Sequence, residues 1–464
     1  MGRGATCAVK AGLPETRHHA ALPIMQYGFA RLPADRHYII ANARAPRCLV
    51  DGGDDLPSSD DLVALSIMIA SDRIVGVLPP DAAPEGVARI DLASGIVFPG
   101  FVDVHTHLDK GHIWPRRRNP DGTFQGALDS VKHDRKAHWS REDLWARMNF
   151  SLRAAHAHGT VALRTHIDSA FGQEDITWPL VPELRAAWKG RIDLQFSSLA
   201  SADLLCERPF ASKIAGLVSK AGGALGCVTY RTPNLTAALD NVFALASEHG
   251  LDLDFHVDET QDPESRSLAM IADKALATRF EGRIVVGHCC SLTRQPEEEQ
   301  YTTIARLAAA GIAVISLPMC NMYLQERHAG VTPRYRGVTL LHELKAAGVD
   351  VAVASDNTRD PFYAYGDLDA LEVYREATRI AHFDHPVSDW PRTVTAAPAQ
   401  MMGLAQYGRI GAGRGADLVL FRARSWTELL ARPQADRTVI RAGLAIDTTL
   451  PDYAELDPFV GPPK

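Results

Sequence analysis

No apolar run in the 464-residue chain approaches the roughly twenty residues that a membrane-spanning helix needs. The opening segment also lacks the apolar stretch of a secretory signal, so a cytoplasmic location is expected. Cysteine is sparse and unpatterned. Its seven positions, Cys7, Cys48, Cys206, Cys227, Cys289, Cys290 and Cys320, form no CxxC pair and no regular framework. A disulfide-stapled scaffold is thereby excluded and a reduced compartment favoured. Positive charge is not in excess either: the net charge is −7, which offers no broad basic surface to a nucleic-acid backbone and leaves a small molecule as the expected partner. What the chain has is 46% hydrophobic and 23% charged residues, the balance of a soluble globular protein.

Residues 1–37 carry no periodic pattern and are expected to form a poorly ordered extension, of which residues 1–24 precede a second methionine, Met25. From Tyr38 to about Val97, short β-branched stretches such as Ser66–Ala70 and Arg73–Val77 alternate with turns. A similar region recurs near the end, at Ala416–Phe421 and Arg437–Gly443. Segments at opposite ends of a chain can complete one sheet, because termini often lie close together. Residues 38–98 plus 409–464 are therefore expected to build one small β-sandwich domain.

Residues 99–408 change pattern to short apolar runs alternating with helical periodicity, the signature of a parallel sheet with crossover helices. Eight candidate strands fall at Gly100–Val104, Thr160–Thr165, Asp193–Ser198, Ala224–Thr229, Leu251–His256, Arg283–Gly287, Ala313–Leu317 and Asp350–Ala354. Helical stretches such as Leu144–His156, Leu235–His249, Tyr301–Ala310 and Leu340–Ala347 separate them, several ending in glycine. Eight such units make an α/β fold of the (β/α)8 barrel class. An open doubly wound sheet would need a glycine-rich turn after its first strand, where His105-Thr-His107 stands instead.

In such a barrel the chemistry sits at the carboxyl ends of the strands. Here those ends read His105-Thr-His107, His256-Val-Asp258-Glu259, Gly287-His288 and Ser355-Asp356-Asn357. His105, His107, His256 and Asp356 form a nitrogen-and-oxygen set suited to one catalytic divalent ion, Zn²⁺ or Fe²⁺, with a position left for water. Such an ion makes hydroxide available near neutral pH. Glu259, three residues beyond His256, is placed to move the protons, and His288 to polarise the attacking water or, with Asp356, to stabilise the tetrahedral centre. A lone strand-end histidine is more often structural, and His112, His133, His138, His156, His158 and His328 stay in that class.

Taken together, Pro99-Gly-Phe-Val-Asp-Val-His-Thr-His-Leu-Asp-Lys110, Arg164-Thr-His-Ile-Asp168, Ile192-Asp-Leu-Gln195, His256-Val-Asp-Glu259 and Ser355-Asp-Asn-Thr-Arg-Asp-Pro-Phe362 resemble the cytosine deaminase branch of the amidohydrolase superfamily. The resemblance covers nearly the whole chain after residue 38. It implies metal ligands His105, His107, His256 and Asp356, a proton shuttle at Glu259, a catalytic histidine at His288, and hydrolysis of an exocyclic amine to a carbonyl with loss of ammonia. It also implies a homo-oligomer. Ring-opening members of the superfamily hold two metals through a lysine after the fourth strand, whereas Thr229-Tyr-Arg-Thr-Pro-Asn234 here has none. One metal and deamination are the expectation.

Three substrate-binding positions depart from the pattern of that branch. Ser201 stands where a glutamine pairs with the pyrimidine, Asn357 replaces a second aspartate, as in relatives acting on substituted triazines, and Phe362 replaces a tryptophan over the base. Leaving a polar substrate group unpaired costs about 1–3 kcal/mol in a closed site, so the expected substrate is 5-substituted cytosine or another amino-substituted nitrogen heterocycle rather than cytosine itself. Two rival readings are an N-alkylamine hydrolase acting on a substituted triazine and a catalytically silent scaffold or binding protein.

Overall fold

The computed structural model describes residues 1–2, 28–33, 35–80, 82, 84 and 86–462, so the extension expected at the amino terminus falls largely outside the described residues. All eight expected parallel strands form, at Phe101–Thr106, Thr160–Asp168, Asp193–Leu199, Leu225–Thr229, Leu253–Val257, Ile284–His288, Ala313–Ser316 and Val351–Val353. Their Val-, Leu- and Ile-rich runs are buried on both faces, as strands covered by helices on one side and packed on the other must be.

The first three strands pair in parallel as one sheet and the last five as another. The two sheets meet at both outer edges. Parallel bridges join Ser197 to Ala224 and Ser201 to Val228 on one side, and Thr106 to Asp356 on the other. At that second edge the Asp356 amide donates to the His105 carbonyl at 2.9 Å, which brings the ends of the first and eighth strands together.

Helices follow the strands where the periodicity predicts them: Arg141–His158, Leu235–His249, Glu297–Ala310 and Leu341–Ala346 overlap the four expected stretches. Gly159 ends the first of these with φ +100°, and a Cβ there would lie 2.6 Å from Val419 Cγ2. Only glycine lets that helix stop in time for the strand at Thr160 to begin. Among the described residues no helix is long and apolar enough to cross a membrane.

The β-rich ends build two sheets: a five-stranded sheet within residues 37–91, made by amino-terminal strands alone, and a four-stranded sheet that joins the two ends, in which Val97–Pro99 pairs with Leu418–Leu420 beside Thr438–Arg441 and Leu444–Ala445. The amino-terminal strands already satisfy one another, with His37–Pro46 pairing antiparallel to Leu62–Ala70. Apolar side chains from both sheets, among them Tyr38, Ile67, Leu418 and Ile440, share one core cluster.

Arg437, next to the strand Thr438–Arg441, reaches across to the helix Ala370–Ala381 that follows the eighth parallel strand. Its guanidinium makes a paired contact with Asp369, Nη1 to Oδ1 at 2.8 Å and Nη2 to Oδ2 at 2.6 Å. Asp369 also caps the helix Ala370–Ala381 by accepting from the Leu371 amide at 3.0 Å. Both side chains are nearly buried, and despite that burial Arg437 holds the Asp369 carboxyl down at about 2. Removing one partner of a buried pair leaves a charge stranded, so Arg437→Ala is expected to destabilise the protein by about 3–5 kcal/mol in urea unfolding at neutral pH. The sign with pH follows. The Asp369 contribution is full above the ordinary aspartate value of ~3.9 and fades as pH falls toward about 2. The gap between parent and variant should therefore narrow only in strong acid, and equal urea midpoints at pH 7 would refute the coupling.

Candidate active site and metal centre

The loop leaving the first strand is pinned to the second: Thr106 Oγ1 donates to the Arg164 carbonyl at 2.9 Å, and the Leu108 amide donates to Thr165 Oγ1 at 2.9 Å. This aims His105 and His107 toward the fifth and eighth strands. Gly287 makes room, since a Cβ there would come within 2.8 Å of His105 Cε1. His107 Nε2 lies 3.1 Å from His256 Nε2 and 3.3 Å from Asp356 Oδ1, and His105 Nε2 lies 3.7 Å from the same oxygen. All four side chains are buried.

The chemistry of these atoms calls for a cation. Burial, reinforced by neighbouring cationic or imidazole groups, holds His105, His107 and His256 well below the usual histidine range, so their rings are neutral. His107 and His256 can share one N–H between their facing nitrogens, but the atoms beside them have no such partner. Both His105 nitrogens and both Asp356 oxygens are buried without a hydrogen-bond partner. The separations of 3.1, 3.3 and 3.7 Å bracket the ~3.4 Å edge expected of a tetrahedral site with ~2.1 Å bonds. A buried histidine group able to bind a metal is therefore present, and its donors fit a divalent ion.

His166 is a fourth imidazole in this group, grouped with His105, His107 and His256 and unassigned by the sequence reading. Its ring lies 4.1 Å from that of His105, and its Nε2 is 3.0 Å from Asp254 Oδ1, whose other oxygen accepts from Arg164 Nη1 at 2.8 Å. The signal was available: in Arg164-Thr-His166-Ile-Asp168 alternate residues share the face on which the first-strand histidines lie.

Glu259 and His288 complete the cluster. His288 Nδ1 stands 3.6 Å from Glu259 Oε1, and the Asn321 amide lies between them, 3.3 Å from Glu259 Oε1 and 3.0 Å from His288 Nδ1. Burial first, then the charge of Asp356, raises the Glu259 carboxyl well above the usual range. Burial likewise raises Asp356 to about 7 and lowers His288 to about 3. Asp356 and His288 also have positive φ, 62° and 71°, a strained conformation for residues with a Cβ and one that recurs at active sites.

A cation flanks the cluster. Lys110 Nζ bonds Asp168 Oδ1 at 2.9 Å, and Asp168 Oδ2 holds Arg135 Nη1 at 2.6 Å. The Lys110 charge acts against the rise of both Glu259 and Asp356. On the outer side of Arg135 lies a cavity of about 890 Å³ whose lining includes Lys132, Lys136, Phe171 and Gln173 and none of the histidine cluster.

The three expected substrate contacts are spread around this centre. Asn357 is buried, with Nδ2 donating to Asp360 Oδ2 at 2.7 Å and Oδ1 facing Cys320 Sγ at 3.6 Å, so much of its amide is engaged within its own loop. Phe362 is half-buried, packed against Phe124 and 6.0 Å from Lys110 Nζ. Ser201 stands on the rim between the third and fourth strands, beside the Tyr230 phenol. Asp258, within the His256-Val-Asp-Glu259 motif, is structural: it accepts from Ser265 Oγ at 2.6 Å and from the Leu268 amide at 3.1 Å.

Comparison with known proteins gives consistent matches. Residues 221–449 match the model of an amidohydrolase family. The chain is 52% identical to a pterin deaminase of Rhizobium rhizogenes over 437 residues, which span 94% of this chain and all of that protein. It is 25% identical to an N-isopropylammelide isopropyl amidohydrolase of Pseudomonas sp. strain ADP, over 77% of this chain and 87% of that one. Its fold matches the crystal structure of a 5-methylcytosine deaminase from Klebsiella pneumoniae liganded with 5-fluorocytosine, with a TM-score of 0.76 at 24% identity, covering 88% of this chain and 97% of that one.

Proposed function

The chain belongs to the amidohydrolase family, and from that premise we propose that it is a hydrolytic deaminase whose substrate is an amino-substituted bicyclic heterocycle of the pterin class. The observation that carries the substrate class is the 52% identity to a pterin deaminase along essentially the full length of both chains. Phe362, a smaller ring than the tryptophan expected over a single pyrimidine, favours the same reading. We read the eight strands, joined at both sheet edges, as a (β/α)8 barrel over residues 99–408. The two sheets from residues 38–98 and 409–464 then form a β-sandwich beside it.

In this reading His105, His107, His256 and Asp356 hold one divalent ion, for which zinc and iron both suit the donor set. Such an ion supplies Lewis acidity and lowers the pKa of water toward about 7. The protein side chains do the remaining work. Glu259 takes a proton from the attacking water and passes it to the ring nitrogen as the water oxygen bonds to the carbon bearing the exocyclic amine. The carbon becomes tetrahedral. His288 and Asp356 face the oxygen and the departing nitrogen, and Glu259 carries the second water proton from the hydroxyl now on that carbon to the amine, which leaves as ammonia while the carbon–oxygen double bond forms. The net change is addition of water and loss of ammonia.

The test is ammonia release by zinc- and iron-loaded protein across pterin, 5-methylcytosine, cytosine, isocytosine, aminotriazines and aminopurines. A kcat/KM for pterin at least about 100-fold above that for cytosine is expected, the scale set by leaving the second ring of the site unfilled and its polar groups unpaired. Faster turnover of cytosine than of pterin would overturn the substrate class. Alkylamine instead of ammonia from an N-alkyl aminotriazine would move the reading to amine-releasing hydrolysis.

A further inference from the structure

We propose that Asn321 is a positioning residue that sets the tautomer of His288, making it a hydrogen-bond donor at Nε2 toward the reacting centre while orienting Glu259. The inference rests on the deaminase reading for what the donor is used for, but the tautomer itself depends only on the arrangement of three side chains.

Asn321 lies in the short helix Pro318–Leu324 that follows the seventh strand, and it is fully buried. Its Nδ2 lies 3.0 Å from His288 Nδ1 and 3.3 Å from Glu259 Oε1. A primary amide nitrogen has two N–H groups and no acceptor capacity, so this one atom can donate one proton to each neighbour. When Glu259 is ionised, as it must be to take a proton from water, the reversed amide would set Oδ1 against its carboxylate, and two acceptors at that separation repel. Glu259 thereby selects the orientation of the amide, and the amide selects the tautomer. With Nδ1 accepting, the ring proton must sit on Nε2.

This orientation leaves Asn321 Oδ1 buried without a hydrogen-bond partner, so the charge on Glu259 is what favours it, and the inward face of His288 fits the tautomer that results. His288 Nε2 is buried without a hydrogen-bond partner, and its ring lies 5.3 Å from that of His105 and 5.1 Å from that of His256. The proton is thus offered inward, where negative charge develops on oxygen in the tetrahedral centre, and a donor fixed before the reaction loses no reorganisation energy there. The helix is itself tied to Glu259. Gln325, just past its end, donates from Nε2 to the Glu259 carbonyl at 3.3 Å, and the Gln325 amide bonds the Asn321 carbonyl at 2.8 Å. One short helix therefore holds the Glu259 main chain with one side chain and its carboxylate with another. His288 acts as an electrophilic donor in this scheme, which leaves Glu259 as the group that takes protons.

The first measurement uses the zinc-loaded protein labelled with ¹⁵N-histidine, in which long-range proton–nitrogen correlations report the tautomer of each ring, and the His288→Gln spectrum identifies the signal to follow. An Nε2–H tautomer for His288 is expected; an Nδ1–H tautomer overturns the proposal whatever the enzyme turns over. The second measurement separates donation from packing. Asn321→Asp keeps the shape but sets an acceptor against Glu259 and His288, and it should lower kcat about 100-fold with KM changed less than about threefold, together with a switch of His288 to Nδ1–H. Asn321→Ala, which removes the donor without adding a charge, should fall between this variant and the parent. Equal loss in both variants with the Nε2–H signal retained would mean that Asn321 only fills space, and would overturn the proposal.

Discussion

Glu259→Gln protein is expected to bind its metal as the parent does and to turn over substrate about 1,000-fold more slowly, with the loss in kcat rather than in KM. A positioned acid–base group contributes about 10²–10⁴-fold, and glutamine keeps the volume and the acceptor oxygen that faces Asn321 while removing the ability to carry a proton. Metal content measured on the purified variant decides the interpretation, because a variant that loses both metal and activity would place Glu259 among the ligands. A second consequence has the opposite sign. In metal-stripped protein, burial and the Asp356 charge hold the Glu259 pKa well above the usual range. Such a group costs stability once the unfolded chain can ionise, above the ordinary glutamate value of ~4.3, and the cost grows until pH reaches the folded value. The metal-free glutamine variant should accordingly unfold at a higher temperature than the metal-free parent at neutral pH, with the difference vanishing near pH 4. A stabilised, inactive variant is what a strained catalytic carboxyl implies.

The strands could be read from the sequence because each is an apolar run too short to be a helix and bounded by turn residues. The fifth, expected at Leu251–His256, forms at Leu253–Val257, and the helix Leu235–His249 has the bounds that its periodicity gives. The candidate ligands were legible for a related reason: histidines and carboxylates clustered at strand ends are conspicuous in an apolar context. Pairing between segments was harder to read. The amino-terminal strands looked like half of a sheet to be completed by the carboxyl-terminal ones; Val97–Pro99 does pair with Leu418–Leu420, while the strands of residues 37–91 pair among themselves, since period-two alternation states only that a strand has one buried face and not which strand lies beside it. What the groups that tune the site do could not be read for the same reason. Asn321 is one amide in a short helix, and its meaning comes from 3.0 and 3.3 Å contacts to residues 33 and 62 positions away. Lys110 reads as a loop lysine until Asp168, from the second strand, is seen to hold it beneath Phe362. Asp258, by contrast, carries the signature of a site residue and serves as a cap, since its position in a motif does not reveal that Ser265 and Leu268 take both of its oxygens.

His256→Ala and His166→Ala should part company, and the comparison decides which imidazoles hold the metal. Four buried histidines crowd together, so proximity alone does not choose among them. The partners do. His256 Nε2 faces the His107 nitrogen at 3.1 Å, and that nitrogen lies 3.3 Å from Asp356 Oδ1, which places His256 on the side of the expected ligand carboxylate. His166 Nε2 has the Asp254 carboxylate at 3.0 Å, and Asp254 is fixed by Arg164. Removing His256 should leave less than about a tenth of the metal after dialysis and lower kcat/KM by about 10³–10⁴-fold, the scale of several kcal/mol of lost charge stabilisation. Removing His166 should retain most of the metal and cost about 10–100-fold, as loss of a supporting contact does. Affinity in the parent should also depend on pH in one direction only. Asp356 has to give up its proton to bind an ion, and burial raises it to about 7, so affinity should fall about tenfold per pH unit below that value and level off above it. Equal metal loss from the two alanine variants would make His166 a ligand, and would recast the centre as one built from four histidines with Asp356 left to face the substrate.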